Sequence, residues 1–258
     1  QEAKRLAQYN ENIDTYSETL NSIYSAIQSL KKVSDRASEI AAMVDNIKSK
    51  DQLAAYSQEI NQLLEQAVQV ANTKNQYGYI FSGTKSDRAS YSVERNETGD
   101  IASVEYRGST KSPAVEIAPV TTITVHIPGS NKTTNGTAGL FETVNGSIFE
   151  NLIALRDGLD SGTREDVKYI RENIVPNLML DESAIIHHIS RIGALEARLE
   201  MAKTMGTRRI DATEEFISRE VDADLAQTLV KLNEVQVAYL AALKAGATIM
   251  NQSLLDYV

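Results

Sequence analysis

The sequence contains no cysteine and no tryptophan. Without cysteine there is no disulfide, no thiolate metal ligand and no thiol nucleophile. That composition suits a chain that passes through a secretion channel and works outside the cell. Proline is scarce, four residues in all, and no proline or glycine precedes Gly78, so nothing in the first part of the chain interrupts a helix. Positive charge is in deficit: 26 Lys and Arg against 35 Asp and Glu, a net charge of −9. Binding to nucleic acid needs clustered Lys and Arg to neutralise phosphates, so no nucleic-acid partner is expected. No apolar run reaches the roughly 20 residues of a membrane-spanning helix, so no membrane partner is expected either. There is no nucleophile elbow, zinc motif or dinucleotide fingerprint. The chain reads as a non-enzyme that needs no cofactor and no metal.

What is present is helical periodicity. Ile13, Tyr16, Leu20, Ile23, Ile27 and Leu30 recur at alternating steps of three and four, the seam of a coiled-coil-like helix. After a repeated step of three, a local stammer, the seam resumes as Val33, Ala37, Ile40, Val44 and Ile47. Lys48 to Asp51 is the expected turn. A second helix then carries Leu53, Ile60, Leu64, Ala67 and Ala71 on one side.

From Tyr77 to about Ser147 the pattern changes, with most of the glycine, three of the prolines and much Thr and Ser. Period-two runs occur at Tyr91–Glu94, Ile101–Tyr106, Ala114–Ile117 and Ile123–Ile127, and Asn96-Glu97-Thr98-Gly99 is a hairpin loop. Helical spacing returns at Ile148, Leu152, Leu155 and Leu159, and continues through Val167, Ile170 and Ile174. Pro176 is expected to break or kink the chain. One long helix should follow from about Leu180 to Arg219, and another from about Ala223 to the end.

The expected fold is α+β, mainly α: a long antiparallel helical shaft with a small inserted β domain. Residues 1–85 form the first half of the shaft, 86–146 the β insert and 147–258 the second half. The composition shift suggests that the insert can be removed with the shaft still folded. The terminal helix, about 223–258, is the main candidate site. Leu225, Leu229, Leu232, Tyr239 and Leu243 form one stripe, and Leu240 and Ile249 make the remaining surface apolar as well. A helix apolar on nearly every side needs partners on nearly every side, so other copies of the chain are expected to cover it.

Rival chemistry is weak. Gly78-Tyr79-Ile80-Phe81-Ser82-Gly83-Thr84-Lys85-Ser86 nearly matches a phosphate-binding loop, but the spacing is off by one and no helix pattern opens after it. His187 and His188 are adjacent on a helix and point in different directions, and His126 stands alone in an expected strand, so no metal-ligand spacing results. The acidic stretch Glu214, Glu215, Glu220, Asp222 and Asp224 lacks an oxygen-rich loop with a glycine turn. It suits the positive end of the last expected helix better than a calcium ion.

Three stretches carry a resemblance. Asn72-Thr73-Lys74 through Gly78-Tyr79-Ile80-Phe81-Ser82-Gly83-Thr84-Lys85 resembles the flagellin superfamily's exit from its second helix. Arg191-Ile192-Gly193-Ala194 with Arg198-Leu199 is similar to the superfamily's V-G-A-R…R-L helix. Asp222-Ala223-Asp224-Leu225-Ala226, with the chain end Ser253-Leu254-Leu255-Asp256-Tyr257-Val258, resembles its D-A-D segment and S-L-L-D-Y-L terminus. Within the superfamily the combination resembles the family of flagellar hook-associated protein 3, which joins hook to filament. The β insert matches in layout only.

The resemblance implies a secreted, extracellular structural subunit of the bacterial flagellum with no active site. Its implied partners are other copies of itself in a ring, hook-associated protein 1, flagellin and a dedicated export chaperone. It further implies a first helical segment preceding Gln1, since the chain opens on Gln in the middle of a helical pattern, as a truncated or processed chain would. Two alternatives remain open at this point: a flagellin filament subunit, and a helical receptor or adhesin whose β domain binds a ligand.

Overall fold

A computed structural model describes residues 2–44 and 48–255, with the side chains in those ranges except at 2, 3, 220–224, 226 and 249–255. The fold is mainly α with small antiparallel sheets. Helix α1 runs Glu2–Met43 and α2 runs Lys50–Ala71. Ser49 caps α2 with a reciprocal capping box: its hydroxyl accepts from the Gln52 N–H, and the Gln52 side chain accepts from the Ser49 N–H. Two of the amides orphaned at the helix start are thereby satisfied. Ile47, the last residue of the expected seam, lies outside the described residues.

Four short hairpins follow. They pair β1 (Lys74–Asn75) with β2 (Gly78–Tyr79), β3 (Tyr91–Arg95) with β4 (Ile101–Tyr106), β5 (Val115–Ala118) with β6 (Thr121–Ile123), and β7 (Glu142–Thr143) with β8 (Gly146–Ser147). The Asn96–Gly99 loop closes β3 on β4. The Asn96 side-chain oxygen accepts from the N–H groups of Thr98 and Asp100, and Gly99 takes the left-handed φ of +91° that a side chain resists.

The run expected as a strand through Ile127 pairs only as far as Ile123. Ile123, Val125 and Ile127 still bury their side chains alternately. That alternation follows from an extended chain lying on a hydrophobic surface, which does not itself require a neighbouring strand. His126 therefore sits in an unpaired extended segment and not in a strand.

Helix α3 (Ile148–Ser161) starts at the Ser147 cap and stops at Gly162, whose left-handed φ of +59° ends the helix. Helix α4 (Arg164–Tyr169) leads through a π turn, Ile170–Ile174, into α5 (Val175–Leu255). Of the break or kink expected at Pro176, the break does not occur. Pro176 stands in the first turn of α5, directly after the π turn, where the Val175 N–H reaches back to the Ile170 carbonyl. The widened turn relieves the clash between the proline ring and the carbonyl four residues earlier. Nor do two helices meet between Arg219 and Ala223, because α5 is continuous over 81 residues.

The described chain forms two compact units. One comprises Gln8–Thr204; the other is built from the chain ends, residues up to Ala7 and from Met205 onward. In the first unit α1 runs antiparallel to α5: Asp14 pairs with Lys203 at 2.6 Å and Lys31 with Glu182 at 3.8 Å. Arg36 on α1 pairs with Glu59 on α2 at 2.6 Å. Between these helices Ile13, Leu20, Ile23, Ile27 and Leu30 are buried, while Tyr16 is half-buried against the same core. Leu53, Ile60 and Leu64 from α2 join them, with Ile185, Ile192 and Leu199 from α5.

The core does not stop where the helices do. Tyr91, Ile101, Ile117, Ile123, Val125 and Phe141 belong to the same hydrophobic cluster as the helix residues. Two-stranded hairpins are marginal alone in water, so these need the helices to hold them.

Candidate assembly surface

The second unit contains the expected terminal site. Leu225 is 61% exposed, Leu229 53%, Leu232 52%, Tyr239 64%, Leu240 62% and Leu243 52%. The stripe at three-four spacing is thus uncovered in the single chain. Val230 and Val237, one heptad apart, open a second apolar face with Ala238 and Ala241. Met201, Met205, Phe216 and Ile217 extend the exposed apolar series toward the N-terminal side and were absent from the sequence-derived set. They are too widely spaced to form a regular three-four stripe, with ten residues between Met205 and Phe216. The side chain of Ile249 and those of the D-A-D and S-L-L-D-Y-L segments lie outside the described residues, except Leu225.

Large exposed apolar surfaces are a common feature of sites of association, which makes this stretch the candidate surface. Helix propensity alone does not hold a helix of this length together in water; most helical stability comes from packing an apolar face.

The Tyr79–Lys85 stretch has a different part. Its loop folds as successive turns with no helix after it, so no ring of helix amides faces it. The Tyr79 N–H donates to the Ser86 carbonyl at 2.9 Å, and the Ser82 hydroxyl donates to the Arg88 carbonyl at 3.0 Å. Gly83 has φ +60°, and a Cβ there would stand 2.1 Å from the Ser109 carbonyl oxygen. Gly78, at φ +120°, is as tightly held, with the Ser86 carbonyl 2.4 Å from the position of a Cβ. The glycines therefore let two backbone segments touch, and no phosphate cradle results.

Between them Phe81 is driven fully into the core. Its ring meets Phe141 edge-on at 5.2 Å, Phe141 stacks on Phe149 at 5.4 Å, and Phe149 meets Tyr91 at 5.0 Å. This aromatic knot joins the loop after α2, the hairpins and the start of α3. Phe81→Ala should cost about 3–5 kcal/mol in urea unfolding. Tyr77→Ala, at a half-exposed ring in the same stretch, should shift it by about 0.5 kcal/mol or less.

Two further polar groups are buried: Arg156, which no sequence motif singles out, and His188, which the sequence offers only as a weak metal-ligand candidate. Arg156 on α3 is 7% exposed and donates to the Ile101 carbonyl at 2.7 Å, with Asp157 as its charge partner at 2.7 Å. His188 on α5 is 1% exposed, and its Nε2–H donates to the Gly139 carbonyl at 3.1 Å. His187 beside it is exposed. Burial, with the positive neighbours His187 and Arg191, pushes the His188 pKa down to about 4. One heptad earlier on α5, burial raises the Asp181 carboxyl to about 6, against the hydrogen bond it accepts from Asn151 at 2.6 Å.

The signs of these two shifts oppose. His188 contributes its full stability above its unfolded pKa near 6.5 and loses it as pH falls toward 4. Asp181 is a cost above pH 6 that is relieved as pH falls toward its unfolded value near 3.8. Relative to the parent, Asp181→Asn should be more stable at pH 7, by up to about 3 kcal/mol, with the advantage gone near pH 4. His188→Gln should gain on the parent as pH drops through the same window. Denaturant unfolding at a series of pH values reads both slopes.

Among the described residues no group of His, Asp and Glu is arranged to hold a metal ion, and no helix is long and apolar enough to cross a membrane. The described residues form a helical core unit with hairpins packed on it, and a long helix whose apolar surface is uncovered. The fold of the chain is that of flagellar hook-associated junction proteins. FlgL from Xanthomonas campestris superposes with a TM-score of 0.70 at 16% identity, over 83% of this chain and 98% of that one. Flagellar hook-associated protein 3 from Legionella pneumophila gives 0.70 at 14% identity, over 84% and 96%. FlgL from Bacillus cereus gives 0.61 at 20% identity, over 80% and 92%. No protein-family model matches the chain, and no curated protein matches it.

Proposed function

We propose that this chain is a structural subunit of the bacterial flagellum that joins hook to filament and works outside the cell without catalysis. The observation that carries the reading is the uncovered apolar surface of α5 from Leu225 to Leu243, on a chain that shares its fold with solved junction proteins over nearly their whole length. Copies of the chain pack these helices against one another in a ring. Hook-associated protein 1 lies on one side of the ring and flagellin on the other, and an export chaperone covers the apolar helix before assembly. The three sequence stretches that resemble hook-associated protein 3 support the same assignment.

The experiment is a deletion of the gene in its source bacterium. Hooks should still form, while filaments should be shed into the medium and motility lost, and an ectopic copy should restore both. Filaments that stay attached without the gene would overturn the reading.

A further inference from the structure

Arg191 and Arg198 lie one heptad apart on the same face of α5, within the first unit. With Thr122, Ile123 and Thr124 beside them they line an open cleft of about 450 Å³. Arg191 is half-buried, and burial lowers its pKa. Neither arginine makes a hydrogen bond or ion pair among the described residues. Arg191 is partly withdrawn from water and Arg198 is exposed beside it, and an anion entering between them would supply the counter-charge that neither has. A second feature adjoins it. The β5–β6 hairpin, whose second strand lines the cleft, carries Val120 at its turn with φ +61° and a fully exposed side chain. A β-branched residue in the left-handed region is strained, and such strain gathers at sites of contact.

We propose that this cleft is a carboxylate socket that receives an Asp or Glu side chain from a second copy of this chain, with Val120 seated against the same partner. The proposal rests on the reading that copies pack side by side. The occupant follows from charge: acids outnumber bases 35 to 26. Exposed carboxylates such as Asp160 and Glu165, beside the α3–α4 turn, have no ion pair among the described residues. A cationic socket meeting a carboxylate elsewhere on the same chain is a heterologous contact, the kind that repeats into rings and helical arrays. Arginine suits it because its planar fork grips a carboxylate through two parallel bonds.

The test uses the amines introduced by Arg191→Lys and Arg198→Lys, with an equal mixture of nitrogen-15-labelled and unlabelled protein at high concentration. A water-soluble carbodiimide activates a carboxylate, and a neighbouring amine displaces the urea to leave an amide. Peptides joining position 191 or 198 to an Asp or Glu should include mixed light–heavy pairs, and these should be lost with Arg191→Glu or Arg198→Glu at the other position. The parent should give no link at either position. Arg191→Gln with Arg198→Gln should move the thermal midpoint of the single chain by no more than about 2 °C, since no partner is lost there. Absence of mixed pairs, links within one chain only, or a large fall in the midpoint of the Gln variant would each overturn the socket. Filament attachment in the deletion strain tests the functional reading separately, so either can fail without the other.

Discussion

A chain in which α2 is rejoined to α3 by a short linker, without residues 86–146, should lose about 5 kcal/mol or more, comparable to the whole stability of an ordinary domain. The composition shift suggests the opposite, a removable insert. The structural reason for expecting loss is that the hairpins and helices share one core. Deletion takes Tyr91, Ile101, Ile123 and Phe141 from the cluster that holds Leu152, Leu155 and Phe149. It also removes the Ile101 carbonyl from Arg156, leaving a buried guanidinium short of an acceptor, which is expensive in itself. And it takes the Gly139 carbonyl from His188. Thermal unfolding followed by far-ultraviolet circular dichroism decides the matter. A cooperative transition within a few degrees of the parent would show that 86–146 is a separable unit after all.

Leu243→Glu should abolish filament attachment while leaving the isolated chain about as stable as before, within about 0.5 kcal/mol. Leu243 is already 52% exposed in the single chain, so a carboxylate there has little packing to disrupt. In the assembly proposed above the same carboxylate would be buried without a partner, a cost large enough to exclude the subunit. The readouts are the thermal midpoint of the purified variant and the fraction of cells with attached filaments. Strong destabilisation of the single chain, or filaments held normally, would refute the assembly role of this surface. An export defect is distinguished by assaying the subunit in the culture medium.

Periodicity carried the helices. The three-four spacing from Ile13 to Leu30 fixes which face of α1 is apolar, and a long helix without proline or glycine has no other way to hide it. The Asn96–Gly99 loop is legible for the same reason: its turn chemistry is written in adjacent residues. The terminal stripe from Leu225 to Leu243 can also be listed from sequence, but its exposure cannot, because burial depends on what else reaches it.

Local rules leave Pro176 either to break or to kink the chain, and only the π turn before it shows that the helix continues. They also read no special place into His188, because two adjacent histidines look alike until one of them faces a carbonyl from a loop 49 residues away. Arg191 and Arg198 are visible as a heptad pair, yet only the packing of β6 beside α5 shows that they line one cleft without a counter-charge. By itself the sequence determined the helical faces, the turn chemistry and the lack of catalytic or metal motifs, all properties of neighbours along the chain. Tertiary structure alone decided that hairpins and helices share one core, that His188 and Arg156 are buried and that the terminal helix stands uncovered, because each depends on residues that only folding brings together.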